Sequence, residues 1–178
     1  KIISSSPSDL NNFVACKYII KNEIKFQKGE IKKNDEKFDQ KLWKKFGLEH
    51  EKKHFKIFES KYKKNIIIKK DIDENKRFKE TKEAIQKGYD LIYHAYFIDD
   101  NFRGEADFLI KSNDGSYEVY DTKISRNPKP RHIFQIIAYS HMLSKIQKVM
   151  PKKMYLIDGS DKIHSYKTNE FFDYFIYT

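Results

Sequence analysis

One cysteine, one tryptophan, four prolines and six glycines among 178 residues exclude several classes of protein. A lone Cys16 rules out an internal disulfide framework and fits a reducing compartment, so a cytoplasmic protein is expected. So few glycines and prolines exclude collagen-like or linker-rich chains. No apolar run reaches the roughly eighteen residues that a membrane-spanning helix needs, so no membrane partner is expected. No secretory leader is expected either, since Lys1-Ile2-Ile3 runs straight into Ser4-Ser5-Ser6-Pro7. Without an initiator Met, the chain is expected to be part of a longer one. What is plentiful is apolar and aromatic material, 39% and 15% of residues, including 14 Phe and 12 Tyr. That suffices for one folded domain spanning residues 1–178 and argues against disorder.

Basic residues outnumber acidic ones by 36 to 26, a formal charge of +10. Such an excess favours a polyanionic partner, because each cation placed on a phosphate releases condensed counterions. A second reading stays open. Only four of the cations are Arg (Arg77, Arg103, Arg126, Arg131), and a Lys-rich chain with abundant Ile, Asn and Phe also arises from AT-rich coding.

Periodicity divides the chain into a mainly helical part, 1–90, and a sheet-and-helix part, 91–178. Ser6-Pro7 reads as a helix start, followed by the stripe Leu10, Phe13, Val14, Tyr18, Ile19. The polar stretch 22–36 reads as a loop or frayed insert. Phe38, Leu42, Trp43 and Phe46 open a second helix, with a break expected near Gly47 before His50, His54, Phe55 and Phe58. Ile66-Ile67-Ile68 suggests a short strand, and 79–87 a helix that Gly88 ends. Strands are then predicted at 91–98, 102–111, 117–124, 154–157 and 163–166, with helices at 132–146 and 168–177. Asn113-Asp114-Gly115 is a hairpin signal. The order of elements predicts a mixed α/β domain around a small central sheet.

Strand alternation points to chemistry. On 102–111, Arg103, Glu105, Asp107 and Leu109 should share one face and Gly104, Ala106, Phe108 and Ile110 the other. On 117–124, Tyr117, Val119, Asp121 and Lys123 share a face. The tight turn makes the two strands antiparallel neighbours, so Asp107 and Asp121 can converge with Lys123 beside them. Two carboxylates brought together near an apolar sheet repel. A divalent cation removes that cost, and Mg²⁺ or Mn²⁺ prefers carboxylate oxygens plus a substrate phosphate. A lysine two residues beyond the second acid reaches the same space. Taken alone, the Asp121-x-Lys123 pattern is common and also fits a surface ion pair.

The ordered combination is more specific. Gly104-Glu105-Ala106-Asp107-Phe108-Leu109, then Tyr117-Glu118-Val119-Tyr120-Asp121-Thr122-Lys123-Ile124, then Gln135-Ile136-Ile137-Ala138-Tyr139 resemble the signature of RecB-like nucleases in the PD-(D/E)xK, or restriction-endonuclease-like, superfamily. The nearest likeness is to nucleases associated with superfamily 1 DNA helicases. Ser6-Pro7-Ser8-Asp9-Leu10, Gly47-Leu48-Glu49-His50-Glu51, Tyr89-Asp90-Leu91-Ile92-Tyr93 and Leu156-Ile157-Asp158-Gly159 extend the resemblance over nearly the whole chain.

The resemblance implies a restriction-endonuclease-like sheet flanked by helices and a Mg²⁺- or Mn²⁺-dependent deoxyribonuclease. It implies metal ligation by Asp107, Asp121, the Thr122 carbonyl and His50, with Glu51 as the rival of His50. Lys123 would be the catalytic lysine, and Gln135 and Tyr139 would position it or a phosphate from one helix face. Arg126 and Lys129 are candidate phosphate contacts. DNA, single- or double-stranded, is the implied partner, with a helicase domain in the same or a neighbouring chain. The implied setting is repair, recombination or defence. Some relatives carry a four-cysteine iron–sulfur cluster; Cys16 stands where their first cysteine does, but with no other cysteine a cluster is excluded and Cys16 reads as a small core residue. Relatives often have a basic residue where Glu105 stands. Two alternatives remain: an inactive DNA-binding module of the same fold, or a nuclease acting on RNA.

Overall fold

The computed structural model describes residues 6–7, 21–22, 24–26, 28–32, 38–99 and 102–176. From residue 38 onward its order is α1 (Phe38–Lys61), β1 (Asn65–Ile67), α2 (Glu74–Gln86), β2 (Leu91–Asp99), β3 (Phe102–Lys111), β4 (Tyr117–Thr122), α3 (Pro130–Gln147), β5 (Lys153–Ile157), β6 (Ile163–Lys167) and α4 (Asn169–Ile176). The strands form one six-stranded mixed sheet in the order β1-β2-β3-β4-β5-β6. β1 runs parallel to β2 and β4 parallel to β5; the other neighbours are antiparallel. Both parallel pairs are joined through a helix, α2 and α3, as the crossover geometry requires. The chain is thus α/β, as its sequence patterning suggests.

Helices cover both faces of the sheet. α1 lays Phe55 and Phe58, with Tyr62 just beyond its end, against Leu91, Tyr93, Phe108, Ile110, Tyr120 and Ile157. The rings interlock: Tyr93 stacks between Phe55 and Phe108, and Phe58 meets Phe108 edge-on at 5.2 Å. Each aromatic ring so buried contributes about 1.5–3 kcal/mol. On the other face, Ala84 of α2 and Tyr139, Met142 and Leu143 of α3 pack on Ile92, Ala95, Phe97, Leu109, Tyr117 and Val119. α4 closes the edge, setting Phe171, Phe172 and Phe175 against Ile136, Ile137, Met154 and Leu156. Among the described residues, no helix is long and apolar enough to cross a membrane.

Several elements depart from the sequence pattern, each for a physical reason. α1 runs unbroken through Gly47. A single helical glycine costs only about 1 kcal/mol relative to Ala, less than the aromatic packing of the following turns supplies. α2 starts at Glu74 rather than 79, because Asp73 caps it by accepting from the backbone N–H of Asn75 (2.9 Å) and Lys76 (3.3 Å). It ends as expected at Gly88, where the N–H groups of Gly88 and Tyr89 donate to Ile85 and Ala84. In the stretch 22–36 read as a loop, residues 22 and 24–26 are helical. β4 stops at Thr122, two residues short of the predicted 117–124. Ser6 and Pro7 lie at the expected helix start; the stripe 10–19, Ser8, Asp9 and Cys16 fall outside the described residues.

The expected alternation on β3 also fails at one point. Ala106 and Leu109, predicted on opposite faces, belong to the same core cluster, while Phe108 and Ile110 join the other. β2 shifts faces at the same level: Leu91 and Tyr93 pack with α1, and Ala95 and Phe97 with the opposite cluster. The cause is local. Tyr93 pairs with Phe108 and Ala95 with Ala106, but His94 and Asp107 between them do not pair. His94 takes φ 60°, a conformation that non-glycine residues rarely adopt. Such outliers cost about 1–3 kcal/mol and concentrate at functional sites.

Candidate active site

β3 and β4 part company at their acidic residues. Phe108 pairs with Tyr120 and Leu109 with Val119, so one further step of this register sets Asp107 across from Asp121. At that step the ladder stops and side-chain bonding replaces it. Asp107 Oδ2 accepts from the Thr122 N–H (2.7 Å) and from the Thr122 hydroxyl (2.6 Å). Asp121 is 1% exposed. Its Oδ2 ion-pairs with Lys123 Nζ, yet this buried oxygen has no aligned hydrogen bond. Freed from pairing on both neighbouring strands, Asp107 can present its carboxylate beside Asp121 and Lys123 at the point where the sheet opens.

A third acid comes from α1. Glu51 acts electrostatically on Asp107, Asp121 and Lys123. It is itself held by His94, whose Nε2 lies 2.6 Å from Glu51 Oε1. The strained backbone at His94 thus aims an imidazole at the acid that faces the aspartates. His50, one residue earlier, turns instead to the β5–β6 turn, with Nδ1 3.7 Å from Asp161 Oδ1.

Burial dominates the electrostatics. It pushes the Asp107 carboxyl well above the usual range, and the charges of Asp121 and Glu51 push it further, against Lys123 and the Thr122 hydrogen bonds. Burial likewise raises Asp121; Lys123 works against it and Glu51 with it. For Lys123 burial favours the neutral amine, but Asp121, Asp107 and Glu51 outweigh it and its pKa is raised, so the ammonium persists. Burial would raise Glu51 too, yet His94, the Tyr93 hydroxyl and Lys70 bring it below its ordinary value. Three acids facing one lysine leave an excess of negative charge in a desolvated place. Hard oxygen donors with uncompensated charge suit Mg²⁺ or Mn²⁺. Among the described residues the buried Asp121 Oδ2 has Lys123 as its one partner, which leaves that carboxylate able to take a divalent cation as well. The oxygens of Asp107, Asp121 and Glu51 are not all within 4.8 Å of one another.

The neighbouring loops are pinned by two glycines. A Cβ on Gly159 would lie 2.2 Å from the Ile124 carbonyl oxygen, and the Gly159 N–H donates to Ser125 O at 3.0 Å. The β5–β6 turn thereby fixes the backbone just after Lys123. Buried Asp158 shapes that turn, accepting from Ser160 N (2.8 Å), Ser160 Oγ (2.6 Å) and Lys162 N (3.1 Å) and meeting His164 at 2.7 Å. On β3, a Cβ on Gly104 would meet Tyr139 Cε1 at 2.9 Å and Pro7 Cδ at 2.7 Å. Only glycine lets Tyr139 close on the strand that carries Asp107.

Of the residues singled out in the sequence, Asp107, Asp121, Thr122 and Lys123 come together. Gln135 and Tyr139 are buried on α3, and Gln135 Nε2 donates to the Tyr139 hydroxyl at 3.4 Å. One turn before Gln135, buried His132 feels Lys123 and stays neutral, its pKa pushed down to about 4 by burial, then by Lys123, Arg131 and Lys129. Arg126 and Lys129 are exposed on the loop from β4 to α3, reached within a few residues of Lys123. Glu105 adds no free charge, because it ion-pairs with Lys70 (2.5 Å) and Arg77. Nothing in the alternating run 91–98 of the sequence marks the strain at His94. Compared with known proteins, the sequence matches no family model and no curated protein.

Proposed function

We propose that the chain is a metal-dependent nuclease of the RecB-like, restriction-endonuclease-like type that hydrolyses DNA phosphodiester bonds, in repair, recombination or defence alongside a helicase. The observation that carries this reading is the register that sets Asp107 across from Asp121, with Asp107 held by Thr122 and Lys123 ion-paired to Asp121, where β3 and β4 separate. A mixed six-stranded sheet with helices on both faces is compatible with that fold type. The charge of +10 favours a polyanionic substrate.

Asp107 and Asp121 would hold Mg²⁺ or Mn²⁺, with the Thr122 carbonyl adjoining and Glu51 as the third acid in place of His50. When bound, the cation supplies neutralisation of the phosphate oxygens and acidifies water in the site. Lys123 keeps its proton at neutral pH because three carboxylates surround it. Its ammonium donates hydrogen bonds to the attacking water or to a phosphate oxygen and offsets the charge that develops there. Thr122 orients Asp107 through two hydrogen bonds, and His94 orients Glu51. Gln135 and Tyr139 hold α3 against β3 and so support the strand that carries Asp107. Arg126 and Lys129, exposed beside the site, are free of the core and suited to backbone phosphates.

The test is cleavage of single- and double-stranded DNA, with RNA alongside, by the wild-type chain and by Asp121→Ala and Lys123→Ala in Mg²⁺ and in Mn²⁺. Loss of DNA cleavage in both variants, with folding intact, is expected. Equal cleavage by wild type and variants overturns the site, and preferential cleavage of RNA overturns the substrate.

A further inference from the structure

A second cluster of ligating side chains lies outside the proposed catalytic group. His50 and His54 stand four residues apart on α1, which sets them on one face of the helix. Their rings meet edge to face with centroids 4.7 Å apart. Across from them, the β5–β6 turn brings in Asp161, held at φ 67°. One ligand atom from each of the three side chains lies within 4.8 Å of those of the others, and among the described residues no other such group of three occurs.

The distances fit a coordination sphere, and only one of the two is also a hydrogen bond. In a tetrahedral zinc site with metal–ligand bonds of about 2.0–2.1 Å, neighbouring ligand atoms are about 3.3 Å apart. Asp161 Oδ1 is 3.0 Å from His54 Nε2 and 3.7 Å from His50 Nδ1. The second separation is too long for a hydrogen bond. The side chain of His50 is 10% exposed, and its Nε2 is buried with no hydrogen-bond partner. Nδ1 faces Asp161 without hydrogen-bonding it and Nε2 is buried without a partner, so the protein alone satisfies this imidazole poorly. Lys53 Nζ takes the other carboxylate oxygen of Asp161, Oδ2, at 2.5 Å, which leaves Oδ1 facing the two histidines.

We propose that His50, His54 and Asp161 form a binding site for a borderline divalent transition metal, Zn²⁺ or Co²⁺, separate from the site of Asp107 and Asp121. Two imidazoles and one carboxylate suit such an ion and leave a fourth position for water, whereas three hard carboxylates suit Mg²⁺ or Mn²⁺. The site joins α1 to the turn whose Gly159 packs on Ile124. An ion there fixes α1 next to Glu51 and fixes the backbone that follows Lys123. It acts as a positioning clamp and takes no part in reaction chemistry. On this assignment His50 serves the transition metal and not the ion between the aspartates.

The test is titration of the whole metal-free chain with Co²⁺, followed by visible absorption, which reports imidazole ligation in a four-coordinate site. The variants are His54→Ala, Asp161→Asn and Asp121→Asn. Asn tolerates positive φ, so Asp161→Asn keeps the turn folded even where His54→Ala does not fold. Intense Co²⁺ bands are expected in wild type and in Asp121→Asn, with affinity at least tenfold weaker in His54→Ala and Asp161→Asn. Co²⁺ bands that vanish in Asp121→Asn but survive in Asp161→Asn would return His50 to the aspartates and overturn the assignment. So would the absence of any such bands in the wild type.

Discussion

Replacing Asp107 by Asn should stabilise the metal-free protein while abolishing its response to Mg²⁺. Directly opposed strand residues have Cβ atoms about 5 Å apart. At an effective dielectric of about 20, two carboxylates at about that separation repel by about 3 kcal/mol. Asn removes this repulsion; it also removes the repulsion of Glu51 and the attraction of Lys123, which offset one another. It keeps one carbonyl oxygen for Thr122, so the loss there is about one charge-assisted hydrogen bond, roughly 1.5 kcal/mol. The balance is a gain of about 1–2 kcal/mol. For a chain of this length that raises the melting temperature by about 2–8 °C. In wild type, Mg²⁺ at one hundred times its dissociation constant adds about 2.7 kcal/mol, a further rise of about 5–11 °C. Asp107→Asn should show neither this rise nor cleavage. Asp121→Asn is the contrast, since it strips the half-buried Lys123 of its ion-pair partner and should not gain stability. The assay is thermal melting in chelator and in Mg²⁺. A metal-free Asp107→Asn protein less stable than wild type, or one that keeps the full Mg²⁺ shift, refutes the like-charge reasoning.

Other perturbations follow from the same geometry. Lys123→Met should lower cleavage by about 10²–10⁴-fold while Mg²⁺ still raises the melting temperature, because the acids remain. Glu51→Gln should weaken Mn²⁺ binding by about tenfold, measured by calorimetry; unchanged affinity would remove Glu51 from the site. The folded-state pKa values of Asp107 and Asp121 lie above their unfolded values, so their contribution to stability is present below the unfolded pKa and is lost as pH rises through the folded one. Melting in chelator should therefore fall from acidic toward neutral pH, and saturating Mg²⁺ should remove that fall. Gly159→Ala should cost at least about 2 kcal/mol and most of the activity, because the new Cβ meets a carbonyl oxygen rather than a flexible side chain; denaturant melts and cleavage rates check both.

Much of the fold was legible because local signals and tertiary packing agree. The hairpin at Asn113-Asp114-Gly115, the stop at Gly88 and the strands around Asp107 and Asp121 were all written in turn chemistry and alternation. The break expected at Gly47 was not there, since one glycine is a weak signal against several turns of aromatic packing. The alternation on β3 misled at Asp107 because His94 holds a strained backbone that no composition reveals, and that strain moves Ala106 to the face of Leu109. The convergence of Asp107, Asp121 and Lys123 needed only a register. Glu51 and the cluster of His50, His54 and Asp161 needed the path of α1 across the sheet. The i, i+4 spacing of the two histidines was visible, but Asp161 lies more than a hundred residues away and could not be joined to them from the sequence.

Crystals of the chain soaked in Mn²⁺ and measured at the manganese absorption edge offer the most direct test of the nuclease centre. An anomalous peak within about 2.1–2.3 Å of carboxylate oxygens of both Asp107 and Asp121 is expected. A saturating soak that leaves the space between these two aspartates empty would contradict it.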